Sequence, residues 1–172
     1  MDPATASFIT KDPAKADGEE SAYQYCGGDP VGKVDPSGEV SLKTLKRYYS
    51  EVLNADERKV ANRYWYQLAS YYTAYKEAIQ IKGEDNKGDA LRHAYWNALL
   101  TRMLGSTSAK RWTDAHETGD RRNKFNQRAM RMDLHNNKVG RDIAKKYPYG
   151  TKKDVKNWIQ QSGRLVWFGH GV

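Results

Sequence analysis

Between Asp89 and Leu100 the chain places Asp89, Arg92, His93, Trp96, Asn97 and Leu100 at i, i+3, i+4, i+7, i+8 and i+11. That spacing lines them along one face of a helix. A helix face with Trp and Leu should bury, yet this one carries four polar side chains, each costing roughly 1–3 kcal/mol if buried without a partner. Two later segments repeat the oddity. One offers Asp114, His116 and Glu117; the other offers Asp133, Asn136, Asn137 and Arg141 on one side, with His135 beside them. Three of the four histidines of the chain fall in these segments. A histidine beside a carboxylate can act as a general base, Arg92 could grip a phosphate through two parallel hydrogen bonds, and Asn amides could orient substrate or water. The candidate catalytic set is His93, Arg92, Asp89, Asn97, Glu117, His116, Asp133, His135 and Asn137. The competing reading is a buried polar network that fixes helix register.

No metal ligand set is assigned, and no cofactor is expected. Three histidines with several carboxylates could ligate zinc, but no His-Glu-x-x-His spacing occurs and three helices would have to converge, so a divalent metal stays open. The His116-Glu117 pair has no Pro-Cys-x-x-Cys downstream, which excludes a zinc deaminase. Phosphate-cradling glycine loops, a Gly-x-Ser-x-Gly elbow and a dinucleotide fingerprint are also missing. Cys26 is the one cysteine. A disulfide framework is therefore excluded, as are a cysteine-ligated zinc and a cysteine nucleophile after it.

The elements that must position these residues are helical. Ser41 can cap a helix carrying Leu42, Leu45, Tyr49, Val52 and Leu53, and Asn54 with Glu57 reads as the cap of a longer one through Tyr64, Leu68, Tyr71, Tyr75 and Ile79 to Gly83. The third helix spans Asp89 to Leu104 and closes at Gly105. The fourth starts at Ser106 or Ser108 and ends before Gly119. A fifth begins near Asn123 and passes Asp142, with an interruption expected at Asn136, Asn137 and Gly140. Thr151 and Asp154 open a sixth, which stops at Gly163. The tail from Arg164 to Phe168 has strand character but no second strand to pair with. The expected fold is all-α, with about six helices in one compact domain after a short extended N-terminal segment.

Charge divides the chain in the same place. Residues 1–38 hold three Lys/Arg against seven Asp/Glu, so the remainder carries +12 of a total +8. A basic domain attracts nucleic acid, anionic lipid or an acidic protein. Lys110, Arg111, Arg121, Arg122, Lys124, Arg128, Arg131 and Arg141 are the candidate nucleic-acid contacts around the site. The bland alternative for each run is a solvated helix face. No apolar run reaches the length of a membrane span, and no signal peptide opens the chain, so export is expected to depend on upstream sequence.

Tyr23 to Gly38 reads YQYCGGDPVGKVDPSG, and Asp2 to Pro13 reads DPATASFITKDP. Both resemble the closing segment of the shell in Rhs/YD-repeat proteins. The resemblance implies a division into residues 1–38, the end of the Rhs core, and residues 39–172, an exchangeable toxin. It implies self-cleavage at an aspartyl pair, Asp12 and Asp35, although Lys15 and Glu39 stand where that family has glycine and an apolar residue. Downstream, the run from Asp89 to Ala98, then Thr113 to Glu117, then Met132 to Arg141 resembles a toxin module of Rhs and wall-associated (Wap-type) proteins. What this implies is an interbacterial toxin, secreted or cell-surface as part of a larger protein and acting in the target-cell cytoplasm. It further implies RNA or tRNA as substrate and a cognate, acidic immunity protein as partner, beside the Rhs shell of the parent chain.

The expected activity is therefore a ribonuclease, with His93 moving the proton and Arg92 stabilising the phosphorane while Asp89, Glu117 or Asp133 orients the histidine. A membrane-targeting phospholipase acting on lipid is the alternative. Its His-Asp dipeptide is absent, because Ala94 follows His93. A toxin that only binds a membrane or partner is the third reading.

Overall fold

The computed structural model describes residues 40–83, 86–120 and 126–168. The shell-like segment with Asp12 and Asp35, and the basic residues Arg121, Arg122 and Lys124, lie outside the described residues. Those described form seven α-helices, one 3₁₀ turn and no β-strand. The all-α expectation holds.

The helices are α1 (Leu42–Glu51), α2 (Ala55–Arg63), α3 (Leu68–Ala78), α4 (Lys87–Leu104), α5 (Ser106–Gly119), α6 (Gln127–Lys146) and α7 (Lys152–Gln161). Their starts follow the capping signals. Ser41 accepts the Thr44 amide, Asn54 and Glu57 close a capping box, and Thr151 and Asp154 close another. Gly105 joins α4 to α5 at φ +79°, a conformation other residues adopt only with strain.

At the centre runs α4, packed against α3, α5, α6 and α7, with α6 along most of its length. It is buried almost all round, which is why its apolar residues form no single stripe. Around its middle the core is aromatic: Tyr71 stacks on Trp112 at 4.4 Å and meets Trp96 at 5.2 Å. The Trp112 indole donates to Gln67 at 2.9 Å, so its buried N–H is satisfied.

Three expectations are corrected. The long second helix is two helices, broken at Tyr64 and the 3₁₀ turn Trp65–Gln67. The break lets α2 lie on α5 while α3 lies on α4. Second, α6 runs through Asn136, Asn137 and Gly140 without interruption. Both Asn side chains bond across to other parts of the fold, so they do not compete for their own backbone. Third, the tail does find a partner among the described residues: the Asn136 carboxamide donates to the Val166 carbonyl at 2.8 Å and accepts its amide at 3.1 Å. One side chain supplies the two bonds a neighbouring strand would have made.

Candidate active site

The close crossing of α4 and α6 builds the site. Gly140 lies against the Ala94 backbone, where a Cβ would fall 1.9 Å from the Ala94 carbonyl oxygen. One and two turns earlier on α6, Asn137 and Asp133 consequently reach the polar face of α4. Glu117 approaches from α5.

His93 stands at the convergence of the three helices. Its Nδ1 lies 3.2 Å from Glu117 Oε1 and 3.3 Å from Asn137 Oδ1, and its Nε2 lies 3.4 Å from Asp89 Oδ1 and 3.5 Å from Asp133 Oδ1. The Asn137 amide donates to Glu117 at 2.9 Å. Burial opposes a charge on His93, but hydrogen bonds to Asp89 and Glu117 and the surrounding carboxylates outweigh it and hold its pKa well above the usual imidazole value. Glu117 is displaced the other way. Burial would raise it, yet the His93 hydrogen bond and charge leave it below the usual carboxylate value. The two shifts agree on an ion pair.

Behind His93, Asn97 is fully buried and uses its whole carboxamide. Its amide donates to Asn137 Oδ1 at 2.6 Å and the His93 carbonyl at 3.1 Å, while its oxygen accepts Arg141 at 2.8 Å and Thr113 at 3.0 Å. The buried polar network and the candidate site are therefore one structure. Its deep half fixes register, and its outer half faces a cleft.

The cleft has a volume of about 460 Å³. One wall is apolar, from Tyr75, Ala78, Ile79 and Ile81; the floor carries Asp89, His93, Asp133, Glu117 and His116, with Asp120 and Lys82 also lining it. Ligand atoms of Asp89, His93 and Asp133 lie within 4.8 Å of one another, so this buried trio could hold a metal ion. The spacings of 3.4 and 3.5 Å from Nε2 to the two carboxylates match the about 3.4 Å separating ligands of a tetrahedral ion bound at about 2.0–2.1 Å. Glu117 on Nδ1 is the carboxylate that commonly orients a metal-binding histidine.

Several expected roles change. Arg92 does not offer its guanidinium as a free fork, because Nη2 pairs with Asp89 while Nη1 donates to the carbonyls of Gly83 at 2.7 Å and Ile81 at 3.4 Å. It fastens the chain after α3, where Ile81, Lys82 and Gly83 line the cleft. His135 faces away: it is exposed and donates from Nε2 to the Arg164 carbonyl at 2.9 Å, which holds the tail. Arg141 is buried on Asn97 and cannot meet a polyanion. Lys110, Arg111, Arg128 and Arg131 line no part of the cleft. Lys110 pairs with Asp114, while Arg111 covers the Tyr64 ring at 4.1 Å and Arg128 the Phe168 ring at 5.1 Å.

His116 has a partner that sequence reasoning missed. Its Nδ1 lies 2.9 Å from Glu57 Oε1, the same oxygen accepts the Tyr71 hydroxyl, and Oε2 accepts the Asn54 amide at 2.6 Å. Locally, Glu57 reads as part of its capping box, and nothing in the spacing points across 59 residues to a histidine.

Residues 51–164 match the family described as "Domain of unknown function (DUF6973)". No solved structure matches the chain.

Proposed function

The chain belongs to this DUF6973 family, and from its site we propose that it is a metal-dependent hydrolase of phosphodiesters, with RNA, tRNA first, as substrate. The observation that carries this reading is the Asp89, His93 and Asp133 trio on the floor of a substrate-sized cleft, with Glu117 behind the histidine. Two carboxylates and one imidazole suit Zn²⁺ or Mn²⁺.

A phosphate entering this cleft meets the carboxylates of Asp89 and Asp133, which repel it. Asp89, His93 and Asp133 would hold a divalent cation, which would reverse the sign of the site and supply Lewis-acid polarisation of the phosphate and activation of water. The chain's own residues do the rest. Glu117 and Asn137 keep the His93 ring in one orientation, Arg92 holds Asp89 and the loop in place, and the wall from Tyr75 to Ile81 offers an apolar surface to a base. The +12 carried beyond residue 38 gathers a polyanion from solution before any specific contact forms. The same reading makes residues 39–172 the toxin end of a longer secreted or cell-surface protein, acting inside a target cell and held in check by an acidic immunity protein.

The test incubates the full chain with total tRNA, after chelation and then with Zn²⁺, Mn²⁺ or Mg²⁺ restored. Discrete fragments that need the cation and vanish in His93→Ala support the reading. RNA left intact with every cation, or fatty acid released from anionic vesicles instead, overturns it.

A further inference from the structure

His116 lines the floor of the cleft with the trio and is held by groups that the metal reading does not use. Its Nδ1 is taken by Glu57, which lines no part of the cleft. Glu57 is itself 4 % exposed and fixed by the Tyr71 hydroxyl and the Asn54 amide. Asn54 also donates through its side chain to the carbonyls of Ala115 and His116 at 3.3 and 3.2 Å, tying the start of α2 to the end of α5. Trp96 meets the His116 ring edge-on at 5.0 Å and 87°. The ring is therefore fixed on its Nδ1 side and along one flank. Its Nε2 has no hydrogen-bond partner among the described residues, and the residue lines the cleft.

We propose that His116, positioned by Glu57, is the acid–base residue of the cleft: Nε2 takes the proton from the water that attacks the phosphodiester. This rests on the phosphodiesterase reading above. A carboxylate on Nδ1 fixes the tautomer with its proton on that side and leaves the Nε2 lone pair toward the substrate, the arrangement a general base requires. In the step, the water oxygen bonds to phosphorus as its proton passes to Nε2. The bond from phosphorus to the leaving ester oxygen breaks, its electron pair stays on that oxygen, and solvent at the open end of the cleft protonates it. The Nε2 proton returns to solvent with the monoester product. Glu57 is a positioning residue, since it acts only through the ring.

The groups facing His116 are Glu57 from α2, Tyr75 from α3, His93 from α4 and its own neighbour Glu117. His93 disfavours its charge and the two glutamates favour it.

The experiment measures Mn²⁺-supported hydrolysis of bis(p-nitrophenyl) phosphate by the full chain, whose leaving group needs no proton, so that a base is isolated. Wild type, His116→Gln and Glu57→Gln are compared for kcat, KM and pH profile, with Mn²⁺ affinity taken by calorimetry. A general base contributes roughly 10²–10⁴-fold. His116→Gln should lose on the order of 100-fold in kcat, keep KM and Mn²⁺ affinity, and lose the acidic limb of the profile. Glu57→Gln should retain more activity and move that limb to lower pH. Tyr71→Phe, which keeps the ring packing and removes one hydrogen bond to Glu57, is a milder check should Glu57→Gln fail to fold. Full activity in His116→Gln overturns the proposal and leaves the hydrolase reading standing. Loss of Mn²⁺ affinity in that variant overturns it too, by making His116 a ligand or a support for one. A wild-type chain that binds Mn²⁺ yet hydrolyses no phosphodiester overturns the underlying reading and this role with it.

Discussion

Gly140 on α6 and Ala94 on α4 touch through their backbones, and the contact leaves no room for even a methyl group. Because Ala94 follows His93 and Gly140 precedes Arg141, this crossing sets the depth at which the two polar faces meet. Gly140→Ala should push the helices apart, costing about 2–3 kcal/mol as an overpacked core does, although alanine favours a helix by up to about 1 kcal/mol over glycine. Urea denaturation checks the sign. A stabilised variant would show that the crossing relaxes freely.

Sequence spacing carried much of this site. Asp89, His93 and Asn97 share a face because they are four residues apart, and Asp133, Asn137 and Arg141 repeat the pattern, so both sides of the main crossing were legible. His135, which the spacing set beside them, is instead exposed and holds the tail through the Arg164 carbonyl. What spacing could not supply were contacts between distant segments. Glu57 and His116 meet through the packing of α2 on α5. The continuity of α6 depends on tertiary partners for Asn136 and Asn137, which local propensity does not include. The engagement of Arg92 with loop carbonyls likewise follows from the turn after α3, not from its place on α4.

Metal binding should compete with protons. Without metal, His93 holds its charge to a pH well above the usual imidazole value, so binding through Nε2 must expel a proton. Affinity for Zn²⁺ should therefore fall as pH falls, by about tenfold per unit below the His93 pKa for one displaced proton. Asp133→Asn should remove most of the affinity while leaving the helical circular dichroism unchanged. Calorimetry in two buffers of different ionisation enthalpy counts the proton. Affinity independent of pH would place the metal elsewhere.

Stability should respond to pH through Glu57 and His116. Burial works against the charge on each, but the bond between them prevails, lowering Glu57 from 4.5 and raising His116 from 6.5. A raised histidine contributes fully below its unfolded value and loses that contribution as pH rises through its folded value. A lowered glutamate contributes fully above its unfolded value and loses it as pH falls through its folded value. The pair is thus at full strength between pH 4.5 and 6.5 and weakens on either side. Denaturant midpoints for wild type and His116→Gln should converge as pH rises above that window. A gap that stays constant to high pH would assign the difference to packing instead.

Asn97 should be the least replaceable residue of the network. Leucine has the same number and branching of side-chain heavy atoms, but Asn97→Leu removes the acceptor of the buried Arg141 guanidinium and Thr113, and the donor to Asn137. Breaking a buried charged contact from one side costs about 3–5 kcal/mol, because the remaining charge is left without compensation. Replacing both ends removes that penalty. Asn97→Leu with Arg141→Met should consequently be more stable than Asn97→Leu alone, which a double-mutant cycle in urea measures directly. Simple additivity of the two substitutions would mean that Arg141 gains its stability from the groups around it and that its bond to Asn97 contributes little.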